Sequence, residues 1–131
     1  MNAGVSKQQL WAGRILAGLV TVFLAFDAVG KFAKPQPVID AMNGLGFPVS
    51  ASAGIGTVLL LCTILYAVPR TAILGAVLLT GYLGGAVSIH VRAENPMFPI
   101  VFPVIMGVMM WAGIYLREPR LAALMPLRTD T

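Results

Sequence analysis

Five side chains with chemical potential are set close together in depth: Asp27, Lys31, His90, Arg92 and Glu94. Asp27 and Lys31 stand at i, i+4 with the acid first, the order that favours an ion pair on one helix face. Lys31 near a helix C-terminus also complements the helix dipole, so an end-of-helix pair accounts for both without a ligand. A carboxylate inside a membrane span is costly, however, and is kept where it faces an interior partner or cavity. His90 and Arg92 are its candidate partners. An imidazole can pass protons near neutral pH or donate a hydrogen bond to a carbonyl, although a lone His more often serves packing. Tyr82, eight residues before His90 and about 80° round the helix, could line the same space. Its hydroxyl needs a partner there, by default an interhelical one. With one His and one Cys, no multi-His or thiolate metal site can be built, and no metal is expected. Cys62, amid Leu59, Leu60 and Leu61, reads as a small hydrophobe, and the absence of C-x-x-C excludes disulfide exchange within one chain.

The elements that position these residues follow from composition. The 131 residues are 58% hydrophobic and 11% charged, with a mean hydropathy of +0.86, roughly half the charge of a water-soluble domain. An integral membrane protein follows. A net charge of +4 then reports orientation before anything else, and nothing points to nucleic acid. Crossing a core of about 30 Å takes roughly 20 apolar residues. Val49–Val68, Thr71–Ile89 and Pro96–Leu116 meet this without a formal charge. The first span is less clean, since Arg14 lies near its start and Asp27 and Lys31 near its end. Its apolar centre, Ile15–Phe26, has the length of a signal-peptide core, with Ala28 and Gly30 as a possible cleavage pair. Arg14 and Lys31 can snorkel to opposite interfaces, which favours a retained helix. The expected fold is all-α, a single four-helix transmembrane bundle over residues 1–131, with helices at about 10–32, 49–68, 70–91 and 97–117.

With the N-terminus inside, Lys7, Arg14, Arg70, Arg117, Arg120 and Arg128 share the inner side, and Lys31, Lys34 and Arg92 the outer side. That asymmetry places both termini in the cytoplasm. Trp11, Tyr66, Trp111 and Tyr115 then fall at the inner interface, where amphipathic rings are comfortable. Asp27 and His90, each roughly 25 to 29 Å along a span running the same way, meet near the outer interface. The second and third spans are joined only by Val68, Pro69 and Arg70 and must form an antiparallel hairpin. The outer loop, 33–48, carries Val38, Ile39, Ala41, Met42 and Leu45 at helical spacing. It predicts a short interfacial helix ended by Gly44 and Gly46, able to cover the outer mouth. Gly13 with Ala17, Ala53 with Thr57, and Gly81 with Gly85 have close-packing spacing, read as contacts within the bundle before a homodimer seam. Pro103 removes a helical hydrogen bond and would kink the last span at its outer end.

The string Leu65-Tyr66-Ala67-Val68-Pro69-Arg70-Thr71-Ala72, continuing through Leu74-Gly75-Ala76 and Leu78-Leu79-Thr80-Gly81-Tyr82-Leu83-Gly84-Gly85-Ala86 to His90-Val91-Arg92, resembles the DoxX-like family of small four-helix bacterial membrane proteins. Asp27, Lys31, Pro37 and Leu45-Gly46-Phe47-Pro48 are similar to that family's first helix and outer loop, and Trp111–Arg120 to its closing helix. The resemblance implies the four-helix fold in the bacterial inner membrane. It also implies an association with redox complexes, since the family takes its name from the small subunit of a thiosulfate:quinone oxidoreductase; animal relatives are tied to membrane-protein assembly. With no redox cysteine, metal cluster or haem ligand pair of its own, the chain would serve such chemistry through a partner subunit or a bound quinone.

Two functions are expected in competition. One is a membrane subunit holding a lipophilic ligand such as a quinone among Asp27, Lys31, Tyr82, His90 and Arg92. The other is a non-enzymatic scaffold or assembly partner whose polar mouth docks another protein. Transport is disfavoured, because the sequence carries neither discontinuous helices nor an inverted repeat.

Overall fold

The computed structural model describes residues 5–129, and among them the only regular structure is helical. Helix α1 (Lys7–Ala33) starts where the Ser6 hydroxyl accepts a hydrogen bond from the Gln9 amide at 3.1 Å. That cap satisfies one of the free N–H groups of the first turn and sets the start three residues before the apolar run. α2 (Gln36–Gly44) is the expected short helix of the outer loop, opening after Pro35 and burying Met42. α3 (Ser52–Ala67), preceded by a 3-10 turn at Val49–Ala51, leads through a second at Pro69–Thr71 into α4 (Ala72–Arg92). α5 (Met97–Tyr115) runs unbroken through Pro103, and α6 (Pro119–Leu124) is a short helix that the hydropathy pattern did not predict.

Four helical stretches are long and apolar enough to cross a membrane: Lys7–Ala33, Val49–Ala67, Pro69–Arg92 and Met97–Tyr115. At most 33% of the most apolar window of any of them is buried inside the protein. The outward faces carry Leu19, Val22, Phe26, Leu61, Leu78 and Val108 in the open, a surface that only hydrocarbon can cover. α1 packs on α3 and α5, and α4 packs on the same two. The bundle is therefore a square in which α1 faces α4 across one diagonal and α3 faces α5 across the other.

Close approach depends on glycine at a few crossings. A Cβ on Gly75 would run into the Tyr66 backbone, so the α3–α4 hairpin closes only because none is there. α1 and α5 meet at Gly13, Ala17 and Gly113, where a Cβ on Gly113 would stand 3.1 Å from the Tyr66 hydroxyl. α1 and α3 meet at the other end, where a Cβ on Gly56 would come within 2.9 Å of Lys31 Cβ. Gly81, Gly84 and Gly85 behave otherwise. A Cβ on any of them would meet nothing within 4 Å, which corrects the expectation that this stripe packs inside the bundle. The core lies on the opposite face of α4, at Ala72, Ala76, Leu79 and Leu83.

Candidate functional site

The C-terminal ends of α1 and α4 and the N-terminal end of α3 build the site. The last turn of α1 leaves carbonyls without helical partners, and the buried Ser52 hydroxyl, at the start of α3, donates to one of them, Lys31 O, at 2.7 Å. This bond and the Gly56 crossing hold the backbone of Lys31 against α3. The Lys31 ammonium then reaches back one turn to Asp27 Oδ1 at 2.7 Å. The two side chains are 18% and 37% exposed, so the pair is partly withdrawn from solvent.

Lys31 is thus the partner of Asp27, in place of His90 or Arg92. His90 is engaged elsewhere, for a local reason. α4 ends with Glu94 in the left-handed region (φ 56°), its amide on Val91 O at 3.0 Å and the Asn95 amide on His90 O at 3.1 Å. This Schellman closure folds Asn95 back over the last turn. Its side-chain amide meets His90 Nδ1 at 2.7 Å. With Asn95 Nδ2 assigned as the donor, Nδ1 accepts and the ring proton sits on Nε2, where it can be donated. Asn95 is the site residue that sequence reasoning missed; the signal was an Asn just past the helix end, ahead of Pro96. Arg92 and Glu94 are exposed at the rim.

Tyr82 lies eight residues before His90 on α4, about two turns deeper, half-buried against the core. It is within electrostatic reach of Asp27 on the diagonally opposite helix. No described residue hydrogen-bonds its hydroxyl, and the second carboxylate oxygen of Asp27 is likewise without a donor among them. The fully buried hydroxyls differ. Ser52, Thr63 and Tyr66 each donate to a backbone carbonyl at 2.7 Å.

Tyr66 itself corrects an expectation. It is 2% exposed and crosses from α3 to Met110 O on α5, so it is a core strut and not an interface ring. Trp111 keeps its place near that end with its Nε1 donating to Thr80 Oγ1 at 2.8 Å, and Trp11 lies under the Arg14 guanidinium at 5.3 Å.

Asp27 and Lys31 therefore pair with each other, with Tyr82 in electrostatic reach of Asp27. His90 is held by Asn95, and Arg92 is exposed. Two apolar grooves mark the outer surface, one of about 560 Å³ over Ile15, Leu19 and Phe26 of α1 and one of about 450 Å³ between α4 and α5. Neither is lined by these residues. Among the described residues no group of His, Cys, Asp and Glu could hold a metal ion.

No curated protein and no solved structure matches the chain. A family model described as the DoxX-like family matches residues 15–113, a stretch that holds every site residue and stops short of α6. The chain, with its four membrane-crossing helices, is a multi-pass membrane protein that belongs to the DoxX-like family.

Proposed function

We propose that this protein is a subunit or module of a redox system in the cell inner membrane, both termini cytoplasmic, that holds a lipophilic ligand such as a quinone at its outer end. The observation that carries the reading is the Tyr82 hydroxyl, on a half-buried residue within electrostatic reach of Asp27, accessible and without a hydrogen-bond partner among the described residues. An accessible hydroxyl on an apolar span is a donor for which a carbonyl on a lipophilic ring supplies the acceptor. The donor set fits a quinone: the Tyr82 hydroxyl, the Lys31 ammonium and the His90 Nε2–H can each grip an oxygen. Asp27 orients Lys31, and Asn95 fixes the His90 tautomer so that the proton points away from α4's own last turn. Bound there, a quinone would supply the two-electron chemistry for which the chain has no group of its own. Its tail would lie among the apolar outward faces of the helices.

The second reading is a non-enzymatic scaffold, favoured by the exposure of Arg92 and Glu94 at the rim, where a partner protein could meet both charges. Native mass spectrometry of protein released from lipid nanodiscs separates the two, comparing the parent with Tyr82→Phe and Asp27→Asn. The expected result is a discrete mass in the quinone range on the parent that both variants lose. A parent that carries no small molecule, or only a second polypeptide, would sink the ligand reading in favour of the scaffold.

A further inference from the structure

Beyond α5 the chain does something its hydropathy does not announce. α6 turns back so that Leu121 is buried in the core of the bundle, while Leu124 and Leu127 are 55% and 77% exposed. Met125, between them, lines the groove between α4 and α5 together with Val104, Val108 and Trp111. The segment therefore runs along the flank that faces hydrocarbon, at the depth of a tryptophan, and does not close off the end of the bundle like a plug. Its exposed leucines are continuous with the lipid-covered surface. Arg120 and Arg128 bracket them. Glu118 holds Arg120 at 2.9 Å, yet the arginine side chain stays 88% exposed and keeps donors for an anion.

The charge at this end of the molecule names the partner. Lys7, Arg14, Arg70, Arg117 and Arg120 share that end, with Glu118 the acid there among the described residues. At the opposite end Lys31, Lys34 and Arg92 are matched by Asp27, Asp40 and Glu94. We propose that residues 117–128 form an interfacial anchor that recognises anionic phospholipid: Leu124, Met125 and Leu127 enter the outer part of the acyl layer, and Arg120 sits on a headgroup phosphate. Apolar insertion and a basic cluster are the two signals that together hold a segment at a charged membrane surface. An anchor of this kind also ties α5 to α4 from outside, because Met125 bridges the groove between them.

A nitroxide at Leu127→Cys, in a Cys62→Ala background, tests this in nanodiscs of phosphatidylcholine with and without phosphatidylglycerol. Accessibility to oxygen and to a water-soluble nickel chelate reads the depth of the label, and a label at Gln8→Cys, exposed at the start of α1, serves as the reference. The expected result is an oxygen-accessible label at position 127 that moves deeper when phosphatidylglycerol is present. That shift should be lost in the Arg120→Gln variant and in high salt. A label open to the nickel chelate in both bilayers would overturn the anchor. A buried label whose depth ignores phosphatidylglycerol, or ignores the loss of Arg120, would overturn the recognition of anionic lipid. Position 127 is exposed and outside the spans, so the label itself stays clear of the core, and unlabelled Cys62→Ala protein, which alters one buried core residue, is the control for the background.

Discussion

The two tyrosines of the bundle interior make opposite use of the same side chain. Tyr66 crosses one diagonal from α3 to α5, almost wholly buried, with its hydroxyl on Met110 O at 2.7 Å. Tyr82 stands on the other diagonal, on α4 opposite α1, half-buried near Asp27 and without a hydroxyl partner among the described residues. Around Tyr66 the helices touch through Gly13, Gly75 and Gly113. At the other end one glycine crossing, Gly56 on Lys31, is joined by the Ser52–Lys31 and Lys31–Asp27 bonds, and the Tyr82 hydroxyl keeps a free donor. The first end is closed mainly by backbone contact, the second by a mixture of contact and polar bonds.

The comparison breaks most readily at Gly75. Gly75→Val places a side chain on the Tyr66 backbone and should cost about 3 kcal/mol or more of stability, read by denaturant unfolding in mixed micelles. Gly81→Val, on the open face of the same helix, should change stability by no more than about 0.5 kcal/mol. A comparable loss at both positions would remove the distinction between a closed end and an open flank.

At the outer end, Asp27→Asn leaves the Lys31 ammonium without its counter-charge in a partly withdrawn place. A loss of about 1 to 2 kcal/mol is expected, less than for a fully buried pair because both side chains retain some exposure. The same unfolding measurement checks it, and a neutral outcome would mean the pair is solvated. Tyr66→Phe should cost about 1 kcal/mol, the worth of one buried hydrogen bond between helices. Tyr82→Phe should be nearly silent in stability. If instead Tyr82→Phe destabilises as much as Tyr66→Phe, its hydroxyl serves the fold.

The smallest expected effect lies outside the spans. The Glu118 side chain caps α6 and bonds Arg120, and that hydrogen bond lowers its pKa below the ordinary carboxylate value. A depressed native pKa means that the contribution is present above the unfolded pKa and fades as pH falls through the native one. Because the pair is exposed, the effect should amount to a few tenths of a kcal/mol. Amide exchange of α6 in mildly acidic buffer, with Glu118→Gln as the pH-insensitive reference, is the measurement.

Much of this was legible residue by residue. Hydropathy runs located the four spans to within a few residues, because each had to cover the same hydrocarbon thickness and nothing else in the chain could. The i, i+4 spacing of Asp27 and Lys31 made Lys31 one of three candidate partners for Asp27, beside His90 and Arg92, and the structure selects Lys31. The apolar spacing of Val38 to Leu45 predicted α2. Tyr66 was misplaced at the interface because its position near a span end outweighed a weaker sign, its sharing of a helix face with Leu59 and Cys62. α6 escaped because six residues are too few for periodicity to speak.

By itself the sequence determined the solvent, the number of spans and the hairpin at Pro69, all of which depend on composition or on short local spacing; that Asp27 pairs with Lys31 was settled by the structure. Only the tertiary structure decided which helices are neighbours and which diagonal, which glycines are contacts and which are open, and that Tyr82 comes within electrostatic reach of Asp27. Those facts depend on the rotation of each helix about its own axis, whereas the turn of His90 to Asn95 is set by the local closure of α4. In a bundle whose every outward face is apolar, hydrophobicity hardly constrains that rotation, and it is the fit of small residues and hydrogen bonds between helices that sets it.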